Sequence, residues 1–163
     1  MDVEVPMRSV FLGSKVRTTV LRLYVLAQSV MAPVAYAVVG AVMDSQGRVL
    51  LVRHSYKIGL QLPIGGVNRG EAASEAVMRE MREEVGLIGG TASLFQIYSR
   101  KAGWATNVLV LYRITDAILD FRPNMEVREV QFVDPLDPPP GCTEDTRRRL
   151  AELAGVVPTG AYW

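Results

Sequence analysis

Apolar residues fall along this chain in two rhythms, and those rhythms divide it into elements. Over residues 14–31 the period is helical. Val16, Val20, Leu23, Tyr24, Ala27, Val30 and Met31 form one stripe, with Lys15, Thr18, Arg22 and Ser29 mostly opposite. Pro33 ends that rhythm. Residues 34–43 then read as a buried strand rich in Val and Ala, 44–47 as a hairpin turn, and 48–53 as the returning strand. A loop at 54–61 leads to Leu62 and Pro63. Next comes a loop punctuated by Gly65, Gly66 and Gly70, and a charged helix with Glu71 in its first turn and Gly86 as its stop. Gly89 and Gly90 break the chain. Strands follow at 93–99, 106–115 and 127–133, separated by a turn at 100–105 and an irregular loop at 116–125. After a proline-rich connector at 134–141, a last helix spans 143–154, capped by Thr143, with Arg147, Arg148 and Arg149 toward its end. Two strands, a helix, three strands and a helix predict an α/β sandwich with helices on both sides of a mixed sheet. That domain covers 34–163, and 1–33 forms an extension with an extra amphipathic helix.

The stripe of the N-terminal helix must be covered. It docks on the domain's own core, forms a subunit interface in a homodimer, or lies on a membrane surface through Arg17 and Arg22. The uncharged run 23–43 is long enough to span a bilayer, and Ala35-Tyr36-Ala37 resembles a signal-peptidase site. Gln28, Ser29, Pro33 and Gly40 interrupt the run, so a helix followed by a strand fits better than a single span.

Composition narrows the function. The chain's 163 residues suffice for one domain with a proper core. With 18 Lys plus Arg against 17 Asp plus Glu, there is no basic surface to hold a nucleic acid polymer. The single Cys142 excludes an internal disulfide and fits a reducing, cytoplasmic setting. The single His54 excludes a multi-histidine metal site.

The charged helix concentrates the chemistry. At about 100° per residue, Glu80, Glu83 and Glu84 fall within roughly a third of its circumference, bordered by Ala73, Ala76 and Val77. Glu75 and Arg82 point the other way. Three carboxylates this close raise one another's pKa values unless something positive compensates. A hard divalent cation with oxygen ligands, Mg²⁺ or Mn²⁺, is the natural compensation. The plainer reading is a solvated Glu-rich helix with ion pairs. The full set of spaced residues argues against it: Gly65, Glu71, Arg79, Glu80, Met81, Glu83, Glu84, Gly86 and Leu87.

That set resembles the Nudix hydrolase signature, G-x5-E-x7-R-E-U-x-E-E-x-G-U with U aliphatic or similar, at every specified position. Together with the surrounding strand pattern, the resemblance covers roughly 34–153. One departure is visible. The family often has Pro-Gly before the first glycine, where this chain has Pro63-Ile64-Gly65-Gly66. In the family a backbone carbonyl at that point can ligate metal, and here it would be that of Ile64.

The resemblance implies an α/β/α sandwich and metal-dependent hydrolysis of a phosphoanhydride in a nucleoside diphosphate linked to another group. It makes Glu80, Glu83 and Glu84 the metal-binding set, with Glu83 or Glu84 also orienting the attacking water. It makes Gly65, Glu71 and Arg79 the scaffold, with Glu71 paired to Arg79. Many members take a further acidic residue from outside the motif. Glu126 and Glu129 both stand near the last strand, Glu126 is favoured as ligand or base, and two solvated carboxylates are the plain alternative. The implied partner is a nucleotide-type small molecule. Arg53, Arg100 and Lys101 are candidates to meet its phosphates, and Tyr56, Trp104 and Phe121 to stack on its base. Core packing or ordinary exposure competes for each. His54 is read as pinning its loop. The rival class is a non-catalytic Nudix-fold module that binds nucleotides or a protein. Such modules usually have eroded motifs, whereas this chain keeps every carboxylate.

Overall fold

The computed structural model describes Thr19 and residues 34–55 and 57–163; the expected helix at 14–31, Thr19 apart, and Tyr56 lie outside the described residues. The described elements are β1 (Val34–Val42), β2 (Val49–His54), β3 (Leu60–Gln61), β4 (Ile64–Gly66), α1 (Ala73–Val85), β5 (Leu87–Ala102), β6 (Ala105–Leu119), β7 (Val127–Val133) and α2 (Glu144–Leu153). The strands hydrogen-bond in the orders β4-β1-β6-β5 and β3-β2-β7.

Alternation along the strands builds two cores. Val38, Val42, Leu50, Val52, Val110, Tyr112 and Ile114 share one core with Ala76, Val77, Met81 and Val85 of α1. Their neighbours Val39, Ala41, Val49, Leu51, Leu109 and Leu111 share the other with Leu150 and Leu153 of α2. Strands covered on both faces must be apolar at successive positions, which is why 34–43 reads as a continuous run and not an alternation. The result is the mixed α/β sandwich that the pattern predicts. Because Val34–Val42 is a strand, the run 23–43 is not one helix. Among the described residues no helix is long and apolar enough to cross a membrane.

Local differences have local causes. β3 and β4 lie where the sequence shows a loop. They are too short to carry a period and exist through antiparallel pairing with β2 and β1, including Gly65 with Val38 and Gly66 with Ala37. Gly89 and Gly90 do not break the chain. β5 runs through them with shifts of register against β6. Glu71 precedes the helix instead of entering its first turn, since the N-cap is Ala72. Thr143 caps α2 as expected, its side chain accepting the Thr146 N–H.

Gly86 joins α1 to β5 in the left-handed region, at φ 67°. A Cβ there would also strike the backbone of Asp120, whose N–H donates to Gly86 O at 2.9 Å. Gly70 is left-handed too, at φ 80°, with open space around its Cβ position. Gly70→Ala should therefore cost only the left-handed strain, about 1–2 kcal/mol. Gly86→Ala adds the clash and should cost roughly 1–3 kcal/mol more. Urea unfolding of both variants checks this, and equal losses would contradict it.

Candidate active site

The apolar face of α1 fixes where its carboxylates stand. With Ala76, Val77, Met81 and Val85 fully buried, Glu84 is drawn in with them and is only 4% exposed. Glu80 is half-buried and Glu83 exposed. Glu80 lies against β4, and its carboxylate occupies the space that a side chain at Gly65 would need. That close approach is the physical reason for glycine at the first position of the motif.

Arg79 ties the motif together. Its Nε and Nη2 donate to the two Glu71 oxygens at 2.8 and 2.9 Å. Nη2 also donates to Gly66 O at 2.9 Å. Nη1 donates to Glu80 at 2.7 Å and to Glu83 at 3.3 Å. Glu71 additionally accepts the Asn68 N–H at 2.8 Å. These bonds, the one from Arg79 foremost, draw the Glu71 carboxyl from the ordinary 4.5 to about 2. The Glu71 carboxylate, and then that of Glu80, push the Arg79 pKa upward.

Glu84 has no share in that guanidinium. Burial pushes its carboxyl up to about 8, reinforced by the negative charges of Glu80 and Glu126. Its Oε2 is buried and has no hydrogen-bond partner. Glu80, Glu83, Glu84, Asn124, Met125 and Glu126 line one cavity of about 420 Å³. Both ends of the Asn124 amide are used. Nδ2 donates to the carbonyls of Glu83 at 3.3 Å and Glu84 at 3.1 Å, and Oδ1 accepts the N–H groups of Glu126 at 3.0 Å and Val127 at 2.8 Å.

Four carboxylates, one of them with an orphaned buried oxygen, form an all-oxygen donor set that suits a hard divalent cation. Among the described residues, no three acidic, His or Cys side chains converge closely enough to hold an ion as they stand. Glu80 and Glu83 are instead turned to Arg79. The donors fit in kind, and those two side chains would have to turn from Arg79 to share an ion.

The structure separates the remaining candidates. Glu126 joins the motif carboxylates, while Glu129 pairs with Arg53 across β2 and β7 at 3.0 Å. Arg100 lines a second cavity of about 300 Å³, together with Lys57, Gln61, Ile64, Thr143, Asp145 and Trp163. Lys101 is exposed on β5, Trp104 is 89% exposed on the β5–β6 hairpin, and neither lines either cavity. Phe121 packs on the α1 core. His54 is buried at the end of β2, and burial lowers its pKa.

Asn124 and Trp163 escaped the sequence reading. Trp163 is placed by a buried cluster. The Arg149 guanidinium lies 4.2 Å from the Tyr98 ring and 5.1 Å from that of Trp163. It donates to Glu152 at 2.8 Å, and the Tyr98 hydroxyl donates to the same carboxylate at 2.6 Å. Arg149 is therefore an interior cation and not a partner of the helix dipole. Its one local partner is Glu152 on the same helix; the others, which mark it as interior, stand on β5 and at Tyr162 and Trp163.

The Arg79 network yields a stability prediction. Glu71→Gln and Arg79→Ala should each lower the melting temperature by several degrees at neutral pH, because each leaves a half-buried partner unpaired. A carboxyl held at about 2 stabilises the fold above its ordinary pKa of 4.5, and that stabilisation fades as pH falls toward 2. The gap between wild type and Glu71→Gln should therefore narrow between about pH 5 and 3. Calorimetry across that range checks it, and a gap that widens on acidification would contradict the assignment.

Comparison with known proteins places the chain in a family. The family described as NUDIX domain matches residues 33–153. An ADP-ribose pyrophosphatase of Methanocaldococcus jannaschii is 38% identical over 64 residues, covering 37% of this chain and 38% of that protein. An RNA pyrophosphohydrolase of Edwardsiella ictaluri is 48% identical over 46 residues, covering 28% of this chain and 26% of that protein. The chain thus matches only about a quarter to two-fifths of the length of these relatives. In fold it is similar to a MutT NUDIX hydrolase from Burkholderia pseudomallei, with a TM-score of 0.62 at 22% identity, covering 72% of this chain and 95% of that one. An intact motif folded around one acidic cavity, within a match that spans most of its length, means that the chain belongs to the Nudix hydrolase family.

Proposed function

We propose that this chain is a divalent-cation-dependent pyrophosphohydrolase that cleaves a phosphoanhydride in a nucleoside diphosphate linked to another group. The observation that carries the reading is Glu84, whose buried oxygen without a partner belongs to a cavity shared with three further carboxylates. Glu80, Glu83 and Glu84 would hold Mg²⁺ or Mn²⁺, with Glu126 as a further ligand or as the base. The cation, when bound, neutralises diphosphate charge and makes water a better nucleophile. Glu83, Glu84 and Glu126 are the groups able to accept the proton of an attacking water and keep it aimed at phosphorus. Glu71, Arg79 and Gly65 keep the carboxylate helix against β4.

The second cavity supports the substrate class. Ile64, the first residue of β4, lines it, and the Ile64 backbone favours the ionised form of the Glu84 carboxylate in the acidic cavity. Arg100 and Lys57 suit phosphate oxygens, and the Trp163 indole offers a stacking surface for a base. An ADP-ribose pyrophosphatase and an RNA pyrophosphohydrolase among the relatives fit this chemistry without choosing between substrates.

A hydrolysis screen over nucleoside diphosphate derivatives, with Mg²⁺ or Mn²⁺ and phosphate release as readout, tests the proposal. Turnover should vanish with chelator and return with cation. Glu84→Gln should keep its circular dichroism spectrum and lose at least about 10²-fold in kcat on the best substrate. A near-native rate for that variant would overturn the site assignment. Nucleotide binding without turnover by the wild type would favour the non-catalytic module instead.

A further inference from the structure

We propose that Asn124 is a positioning residue that couples Glu126 to the carboxylate helix, an inference that rests on the acidic cavity being the reaction site. The last carbonyls of any helix lack partners inside it. In α1 two of these, on Glu83 and Glu84, receive the Asn124 amide nitrogen at 3.3 and 3.1 Å. The amide oxygen faces N–H groups only, those of Glu126 at 3.0 Å and Val127 at 2.8 Å. Carbonyls on one side and N–H groups on the other fix which way the amide points. The Asn124 N–H itself donates to Val127 O at 2.9 Å, so the side chain springs from a closed turn.

Glu126 needs such a tie. It is exposed and comes from outside the motif, so no helix sets its distance from Glu84. On its other side Ser55 anchors the loop, through its N–H to Glu126 O at 2.8 Å and its hydroxyl to Met125 O at 2.7 Å. Asn124 supplies the anchor to α1. The chemistry required is narrow: two donors and one two-fold acceptor on a short side chain. Aspartate keeps the acceptor and loses both donors, and it would face the helix carbonyls with a negative charge.

The test is a double-mutant cycle on the Mn²⁺ dissociation constant, read by electron paramagnetic resonance of free Mn²⁺, with kcat as a second readout. Asn124→Ala should weaken Mn²⁺ binding about tenfold, as loss of a group that orients a ligand does. In the Glu126→Gln background the same change should have no further effect. Equal fold losses in both backgrounds, or wild-type affinity in Asn124→Ala, would overturn the proposal, because a merely structural residue acts additively. If Asn124→Ala does not fold, Asn124→Ser, which is small and uncharged and too short to span from the loop to α1, takes its place in the cycle with the same expected pattern. If the wild type neither binds Mn²⁺ nor hydrolyses any nucleotide, the acidic cavity is not the reaction site and both readings fall. If it does, only the coupling is at issue.

Discussion

A single guanidinium holds together parts of this protein that would otherwise repel or drift apart. Arg79 grips both oxygens of Glu71 and the Gly66 carbonyl from the loop, and reaches Glu80 and Glu83 on its own helix. Loop and helix are thereby registered against each other. The planar fork matters, since five fixed donors serve four acceptor groups at once, which a lysine ammonium on a flexible stem cannot do. Gly65 allows the arrangement by leaving room for the Glu80 carboxylate beside β4.

The same guanidinium leaves a charge problem one turn further along. Arg79 offsets part of the negative charge of Glu71, Glu80 and Glu83, while Glu84 is buried beyond its reach. The fold therefore keeps one carboxyl raised toward neutrality and surrounded by others. A site of this kind is stable because the packing of Ala76, Val77, Met81 and Val85 dictates where the helix sits, whatever its charges prefer. On the proposed function, a bound cation would relieve the repulsion, so the feature that disfavours the empty helix would favour the loaded one.

How much of this was legible depended on how local the cause was. Glu80, Glu83 and Glu84 share a helix face through spacing alone, and the apolar runs of β1 and β2 announce strands covered on both sides. The Glu71–Arg79 pair followed only from the resemblance, although its placement ahead of the helix did not, because the pull of Asn68 and Arg79 on that carboxylate is a loop contact. β3 and β4 were illegible because pairing with distant strands, and not propensity, creates them. The sequence already favours Glu126 over Glu129, but that Glu129 is held by Arg53 across β2 and β7 is a contact between distant strands that no local pattern shows. Arg149 read as a charge at a helix end until its aromatic neighbours stood around it. Asn124 carries no sequence mark, since each of its side-chain bonds is to backbone.

The claim that like-charged carboxylates await a cation can be measured without knowing the substrate. Melting temperature should be followed against Mg²⁺ at constant ionic strength, for the wild type and for Glu84→Gln. The wild type should gain stability with the logarithm of Mg²⁺ concentration once the dissociation constant is passed, and the variant should gain far less. Equal shifts for both proteins, or none for the wild type, would contradict the account.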